Sequence, residues 1–221
     1  NYHNFHIISE ECFNTLKRKG IDPDLLPFIR LRYRNITDLY AFAFDNLESV
    51  TDDVLSGLFY LRPFGEFYEF MMNAYEQKKE VVRMKHMDLL IELAIRVQPN
   101  RLLGLLRDEV QNYDLKLALF NVQKLNGPNE ACLFLFEKLG LFCEMIPFVD
   151  VETSINLCSG HPEDRELWSL TLDKIKEDGC SKELLKTFLG RENPLPFELV
   201  VSKLSQADFS CIKDYVRRHF T

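Results

Sequence analysis

Cys158 and His161 are the two side chains whose types and spacing come nearest to a catalytic pair in this chain. A histidine close to a cysteine can take the thiol proton and make the sulfur the nucleophile of a hydrolase. The segment Ser159-Gly160-His161-Pro162 is typical of a turn before a helix, and the sequence offers neither a group to orient the histidine nor evident oxyanion donors. The sequence therefore favours local structural roles for both residues, with a helical hydrolase as the alternative.

The cysteine and histidine content argues against a metal centre. The six cysteines are widely separated, with no Cys-x-x-Cys motif and no histidine at metal-ligand spacing: Cys12, Cys132, Cys143, Cys158, Cys180 and Cys211. Free cysteine behaves as a small buried hydrophobe, so we predict reduced core thiols and neither a metal nor a cofactor. His86 stands between Lys85 and Met87 in a charged helical segment, and we predict that it is solvated.

Composition predicts an ordinary folded protein. The 221 residues are 46% hydrophobic and 28% charged, with a formal net charge of -7. This balance argues against a general nucleic-acid binder, because neutralising phosphates requires a basic face. No apolar run reaches the roughly 18 residues that a membrane-spanning helix needs. The chain starts with neither an initiator methionine nor a signal-peptide pattern and stops abruptly at Thr221, so we expect a segment of a longer polypeptide.

Capping residues and helix breakers divide the chain into a nearly continuous series of short helices. Thr37, Thr51 and Asp114 are predicted N-caps, and Pro99 is predicted to begin a new helix. Gly140 and Gly179 are predicted to end helices, Gly140 in the left-handed conformation that glycine adopts without strain. Further helices are predicted after Ser9 and after Asp22, and at 66–79, 81–97, 130–139, 141–148, 151–158, 162–177, 181–189, 196–204 and 206–219.

The order of these elements predicts the fold class. Alternating runs of β-branched residues are absent, so strands have almost no support. Two helices joined by three or four polar residues must pack antiparallel, because so short a connection allows nothing else. The consensus motifs of tetratricopeptide and ankyrin arrays are also absent. The sequence therefore predicts an all-α fold, an irregular α-solenoid of stacked antiparallel helical hairpins that extends over 1–221 as one segment.

Four segments carry a specific likeness: Tyr113-Asp114-Leu115-Lys116-Leu117-Ala118-Leu119, Ala131-Cys132-Leu133-Phe134-Leu135-Phe136-Glu137-Lys138-Leu139-Gly140-Leu141, Val149-Asp150-Val151, and Leu167-Trp168. In order and approximate spacing they resemble the C-terminal clathrin-heavy-chain-type repeat of the class C vacuolar-protein-sorting core subunits of the HOPS and CORVET tethering complexes. The likeness covers 88–175 and is strongest to subunit eighteen, called deep orange. The segments 199–204 and 212–215 resemble subunit eleven, so both members stay open.

The resemblance implies a non-enzymatic scaffold that organises partner subunits for vesicle docking and fusion. The implied partners are other HOPS/CORVET-type subunits and, indirectly, Rab GTPases and SNAREs; the implied location is cytoplasmic and peripheral on the late endosome or vacuole (lysosome) membrane. The family's β-propeller and zinc-binding RING domain have no counterpart in these residues, so zinc binding and ubiquitin-ligase activity are not implied. Another coat or nuclear-pore-type solenoid is the alternative scaffold.

Two patches are candidates for partner binding. The first is an aromatic cluster around Phe64 and Tyr68, which holds more rings than the core of one hairpin needs. Core packing is the alternative for this cluster. The second is the apolar stripe of the last helix, which in the family would lead towards a coiled coil: Phe209, Ile212, Tyr215, Val216 and Phe220. The alternative for this stripe is the capping helix of a solenoid.

Overall fold

The computed structural model describes residues 36–59, 62–191, 193–204, 212–213 and 215–217. These ranges contain helices and their connections and no strand, so the predicted all-α class is confirmed. The helices are α1 (Ile36–Asp45), α2 (Asp52–Leu58), α3 (Phe64–Gln77), α4 (Lys79–Lys85), α5 (Met87–Val97), α6 (Pro99–Asp108), α7 (Leu115–Lys124), α8 (Asn129–Leu139), α9 (Phe142–Met145), a 3-10 helix (Ile146–Phe148), α10 (Val151–Gly160), α11 (Arg165–Asp178), α12 (Lys182–Gly190) and α13 (Phe197–Lys203).

Side-chain caps begin two helices where the sequence predicts them, whereas the prediction of Thr37 as an N-cap is wrong because α1 already begins at Ile36. The hydroxyl of Thr51 accepts a hydrogen bond from the backbone N–H of Val54 at 3.4 Å at the start of α2. The carboxylate of Asp114 accepts hydrogen bonds from the first backbone N–H groups of α7, at 2.8 and 3.1 Å. Pro99 is the first residue of α6. These predictions are confirmed because a cap depends only on residues within one turn of it.

Glycines end two helices, also as predicted. Gly140 follows α8 with φ of 70°, and Gly179 follows α11 with φ of 73°. A side chain at either position would be strained, because positive φ brings Cβ too close to the following carbonyl oxygen. Glycine therefore lets the chain turn out of each helix.

α5 is the central helix of the first compact unit, which the described residues up to Cys132 form. It packs against α3, α4, α6 and α7. Seven of its eleven residues are buried: Met87, Leu89, Leu90, Ile91, Leu93, Ala94 and Ile95. A helix that is apolar on most sides needs neighbours on most sides. The sequence of α5 therefore determines how the surrounding helices are placed.

The described residues from Leu133 onward form a second compact unit. Its central helix is α11, which packs against α9, the 3-10 helix, α10 and α13. Trp168 on α11 is buried, its ring centroid lies 5.2 Å from that of Phe188, and its indole N–H donates to the carbonyl oxygen of His161 at 3.3 Å. The prediction of one segment over 1–221 stays a prediction.

The predicted helix at 81–97 is wrong in its continuity. The chain forms α4 and α5 instead, separated by His86 with φ of -130°. The local sequence contains no glycine or proline to mark this break. The predicted helix at 141–148 is also divided, into α9 and a 3-10 turn, where Pro147 removes a backbone donor.

Among the described helices, none combines the length and apolarity that crossing a membrane requires. The helices predicted after Ser9 and Asp22 lie outside the described residues. Of the predicted helix at 206–219, only 212–213 and 215–217 are described, and these are helical.

Candidate functional site

A groove of about 370 Å³ opens on the first unit between α3 and α6. On α3 it is lined by Tyr68, Met72 and Tyr75, which have the i, i+4, i+7 spacing of one helix face. On α6 it is lined by residues at i, i+3, i+4 and i+7, with Asn100 beside them: Arg101, Gly104, Leu105 and Asp108. Ala94 of the central helix α5 completes the lining. Because α5 packs against both walls, the groove follows from the placement of three helices.

Gly104 lies at the middle of the groove wall that α6 forms, and it is exposed. A Cβ atom added at this position would meet no heavy atom within 4 Å. Leu102 and Leu106, on the other face of α6, are fully buried and hold the helix against the core. Glycine in a helix interior costs about 1 kcal/mol relative to alanine. Here the missing side chain leaves open space on the surface of the groove.

The two ends of the groove carry opposite charges. Arg101 lies at one end and Asp108 at the other, seven residues apart and therefore about 10 Å along the helix. Within the described part of the chain neither residue has an ion-pair partner. Both are exposed. The groove is thus apolar along its length and oppositely charged at its ends.

Tyr68 is buried in the wall of this groove, with 4% of its surface exposed. Burial raises the pKa of its phenol, and the positive charge of Arg101 acts in the opposite direction. Among the described residues, none forms a hydrogen bond with the Tyr68 hydroxyl. The prediction that Tyr68 binds a partner stays a prediction, and its position makes it available to a ligand in the groove.

Tyr75 is held in place by a buried carboxylate. Its hydroxyl donates a hydrogen bond to Oε1 of Glu109, whose side chain is 1% exposed. Arg83 binds the same carboxylate with two nitrogens, at 2.7 and 2.8 Å, and the amide of Asn112 donates to it at 2.7 Å. Burial raises the pKa of Tyr75 to about 12, with the Glu109 hydrogen bond acting in the same direction. This network fixes the ring that forms one wall of the groove.

The aromatic cluster divides between the core and the surface. Phe59 and Phe67 are buried and stack with ring centroids 4.3 Å apart, as the core-packing alternative predicted. Phe64 is 56% exposed, and the guanidinium of Arg96 lies 5.0 Å from the centre of its ring. Phe64 is not among the groove residues. The structure therefore places the two predicted partner-binding residues of this cluster in different surroundings, Phe64 on the surface and Tyr68 in the groove wall.

The stripe of the last helix is described in part. Ile212 and Tyr215 are buried in the core of the second unit, and Val216 is half-buried against it. The ring of Tyr215 stacks on that of Phe197 at 5.8 Å. Phe209 and Phe220, which were predicted with them, lie outside the described residues. Ile212 and Tyr215 thus contribute to packing within this unit, and their role in partner binding stays a prediction.

Exposed apolar residues on α7 were missed by the sequence reasoning. Leu117 is 42% exposed and Phe120 is 56% exposed, whereas Ala118, Leu119 and Val122 are buried. The i, i+3 spacing places Leu117 and Phe120 on one face, outside the buried stripe. The signal was present in the sequence, because α7 has apolar residues on more than one face.

The geometry of Cys158 and His161 does not suit nucleophilic catalysis. The Cys158 thiol is fully buried and lies 3.2 Å from the hydroxyl of Thr171. Burial raises the pKa of this thiol, and the thiolate is the nucleophilic form. The ring of His161 lies against that of Phe142, with centroids 3.9 Å apart. The described residues contain no cluster of three or more side chains suited to a metal.

The prediction that His86 is solvated is wrong. Its side chain is fully buried, with Nδ1 2.6 Å from the carboxylate of Asp52 and Nε2 2.9 Å from the carbonyl oxygen of Leu47. Both partners are oxygen atoms of segments that precede α4 in the chain. His86 therefore joins the α4–α5 junction to the connection between α1 and α2.

Comparisons with protein-family models, with curated proteins and with solved structures find no match to this chain. The likeness to class C vacuolar-protein-sorting subunits therefore depends on the four sequence segments alone.

Proposed function

We propose that this chain is a non-enzymatic scaffold segment of a membrane-tethering complex of the HOPS/CORVET type. In this role it holds partner subunits at fixed spacing and acts in the cytoplasm, peripherally on late endosomes or the vacuole. The chain interacts with Rab GTPases and SNAREs only indirectly, through those partner subunits. This scaffold role requires rigid helices and surfaces for protein contact, and it requires no catalytic group.

Helix packing supports the solenoid part of this proposal. The described α-helices that share the most contacts are one or two α-helices apart in the sequence, such as α3 with α5 and α11 with α13. Contacts made mainly between neighbours along the chain are typical of solenoids. The buried, protonated thiol of Cys158 further favours a scaffold over the hydrolase alternative.

The observation that carries the proposal is the exposed apolar pair on α7. Leu117 lies within the segment 113–119 that resembles the family, and Phe120 is one turn further along the same face. Large exposed apolar side chains on a folded surface, bordered here by Lys116 and Lys124, are typical of protein contact sites. We infer that this face of α7 binds another subunit.

The test is co-purification of the 221-residue chain with the other core subunits of the tethering complexes, co-expressed in the same cell. The double variant Leu117→Glu/Phe120→Glu should reduce recovery of those subunits at least about tenfold, because charge in an apolar contact is costly. Met84→Glu is the matched control, since Met84 is 80% exposed and lies outside 88–175. Circular dichroism should show the same helix content for all three proteins.

Two results would count against the proposal. Unchanged recovery with the double variant would mean that α7 is not the contact face. Recovery of clathrin-type coat or nuclear-pore subunits in place of the tethering subunits would favour the alternative scaffold.

A further inference from the structure

We propose that Asn126 is a modification site, at which asparagine converts spontaneously into isoaspartate at a rate set by opening of the turn after α7. Asn126-Gly127 is the only Asn-Gly pair among the 221 residues. Asparagine is a thermally labile residue, and a following glycine has no Cβ atom to hinder the approach of its backbone nitrogen to the asparagine side chain. The inference does not depend on the tethering role, because it follows from this turn alone.

The reaction consumes only water. The backbone nitrogen of Gly127 attacks Cγ of Asn126 and loses its proton to solvent, while the side-chain nitrogen takes up a proton and leaves as ammonia. The product is a cyclic imide. Water then adds to one of the two imide carbonyl carbons. Cleavage at the side-chain carbonyl gives aspartate, whereas cleavage at the main-chain carbonyl gives isoaspartate, in which the backbone runs through Cβ and Cγ and is one carbon longer.

Hydrogen bonds hold the reacting nitrogen in the native turn. Asn126 follows the last residue of the α7 cap, Leu125, with φ of 53°, in the left-handed conformation that asparagine tolerates. Its N–H donates to the carbonyl oxygen of Gln123 at 3.3 Å, and the N–H of Gly127 donates to that of Val122 at 2.8 Å. These are the two bonds of a Schellman motif. The proton that Gly127 must lose is therefore held in a hydrogen bond.

Close packing also holds Gly127. A Cβ atom at this position would lie 2.9 Å from Cγ1 of Val122 and 3.4 Å from Cγ2 of Ile95 on α5. The peptide group therefore has little room to turn towards the Asn126 side chain. Structured backbone amides react through local opening, and helix ends open at low cost, so fraying at the end of α7 should control the rate. Asn126 is exposed, so water reaches it.

Conversion to isoaspartate should prevent the turn from closing again. The extra backbone carbon shifts the nitrogen of Gly127 relative to α7, so the hydrogen bonds to Val122 and Gln123 cannot both form. Gly127 then leaves its place against Val122 and Ile95, which are buried in the first unit. The modification is thus an irreversible loosening of the end of α7.

Mass spectrometry measures the conversion in the whole 221-residue chain kept at pH 8 and about 37 °C. A lysine-specific protease used at mildly acidic pH releases the fragment 125–138, which gains the mass difference between an amide and a carboxyl group. Chromatography separates its isoaspartate and aspartate forms. The reference is the isolated peptide 119–131, which is too short to hold a helix in water. Asn126 should react at least about tenfold more slowly in the chain than in the peptide.

Variants separate the effect of the turn from the intrinsic chemistry. Val122→Ala removes the methyl groups that pack against Gly127 and should accelerate the reaction in the chain at least about threefold. The same substitution in the peptide should have no effect, because it lies outside the reacting groups. Gln123→Ala is the matched control in the chain, since this side chain is exposed and its backbone carbonyl is kept.

Thermal unfolding tests the consequence. The unaltered chain should become less stable during the incubation, in proportion to the isoaspartate formed. Asn126→Gly cannot react and keeps the turn, because glycine adopts positive φ without strain, so its unfolding temperature should not change. Asn126→Asp carries the charge of the products without the extra carbon, and before incubation it should unfold close to the unaltered chain.

Four results would overturn the inference. Equal rates in the chain and the peptide would show that the turn does not control the reaction, and an unaltered rate in Val122→Ala would contradict the packing argument. Absence of conversion in both the unaltered chain and Val122→Ala, while the peptide converts fully, would exclude Asn126 as a modification site. An equal loss of stability by incubated Asn126→Gly would assign the damage to other residues.

Discussion

Replacing Glu109 by glutamine tests how much the buried network beneath the groove stabilises the first unit. The carboxylate is 1% exposed and is bound by Arg83 at 2.7 and 2.8 Å, by Asn112 at 2.7 Å and by the Tyr75 hydroxyl. Glutamine keeps the size of the side chain but removes its charge and one acceptor oxygen. Arg83 then loses its two-point partner, and Tyr75 or Asn112 is left without an acceptor.

The pKa of Glu109 gives the magnitude. Burial would raise this pKa, but the hydrogen bonds from Arg83, Tyr75 and Asn112 outweigh burial and lower it from 4.5 to about 2. That difference corresponds to about 3 kcal/mol of folding free energy at neutral pH. We therefore expect Glu109→Gln to lower the free energy of unfolding by about 3 kcal/mol at pH 7.

The effect has a defined pH dependence. The pKa is lower in the folded state, so the stabilisation is fully present above about pH 5 and is lost as the pH falls from 4.5 through about 2. At pH 3 the unaltered protein should retain about 1.5 kcal/mol of it. The difference between Glu109→Gln and the unaltered protein should therefore shrink by about half between pH 7 and pH 3.

Urea unfolding followed by circular dichroism measures this difference. The only tryptophan, Trp168, lies in the second unit, so its fluorescence would not report directly on Glu109. Glu92→Gln is the control, because Glu92 forms an exposed pair with Arg96 and its loss should cost less than about 0.5 kcal/mol. Equal small effects of both substitutions, or a Glu109→Gln effect that does not change with pH, would refute the reasoning.

Three further predictions follow from individual residues. His86→Ala should lower the free energy of unfolding by about 2–3 kcal/mol, since Asp52 and Leu47 lose their contacts with the buried ring; a loss under about 0.5 kcal/mol in urea titration would contradict the geometry. Gly140→Ala should cost about 1 kcal/mol because of its positive φ, whereas Gly160→Ala should be neutral or stabilising; thermal unfolding that ranks them oppositely would exclude this explanation. The Cys158 thiol, whose pKa burial raises, should resist iodoacetamide at pH 8 until urea is added, and mass spectrometry showing rapid labelling of the native protein would count against an inert core thiol.

Helix ends were predictable from the sequence because their causes are local. Thr51 and Asp114 cap helices with bonds to residues two or three positions away. Gly140 and Gly179 adopt positive φ directly after a helix. In each case the responsible atoms lie within one turn of the helix end, so the local sequence is enough to predict where the helix begins or ends.

The break at His86 was not predictable in this way. Its hydrogen-bond partners are 34 and 39 positions earlier in the chain, at Asp52 and Leu47. The neighbouring sequence shows only a polar residue between Lys85 and Met87, which is compatible with a continuous helix.

The groove was not predictable either, because it too depends on residues far apart in the chain. Tyr68 and Gly104 lie on different helices, and their proximity depends on how α5 holds both.

Basic residues near α4 form hydrogen bonds within the fold, although a count of charges would predict that they only face solvent. Lys78 donates to the carbonyl oxygen of Phe44 at 2.7 Å, His86 lies 2.9 Å from that of Leu47, and Lys85 donates to that of Glu48. These carbonyls lie at the end of α1 and just beyond it, where the helix dipole favours positive charge. Three donors from one region thus bind the connection that leads from α1 to α2. Because each bond joins segments more than 30 positions apart, the donors link α1–α2 to α4–α5 and limit movement between them. Such restraint suits the scaffold role proposed for this chain, since a partner can be held at fixed spacing only if the helices that bind it do not shift.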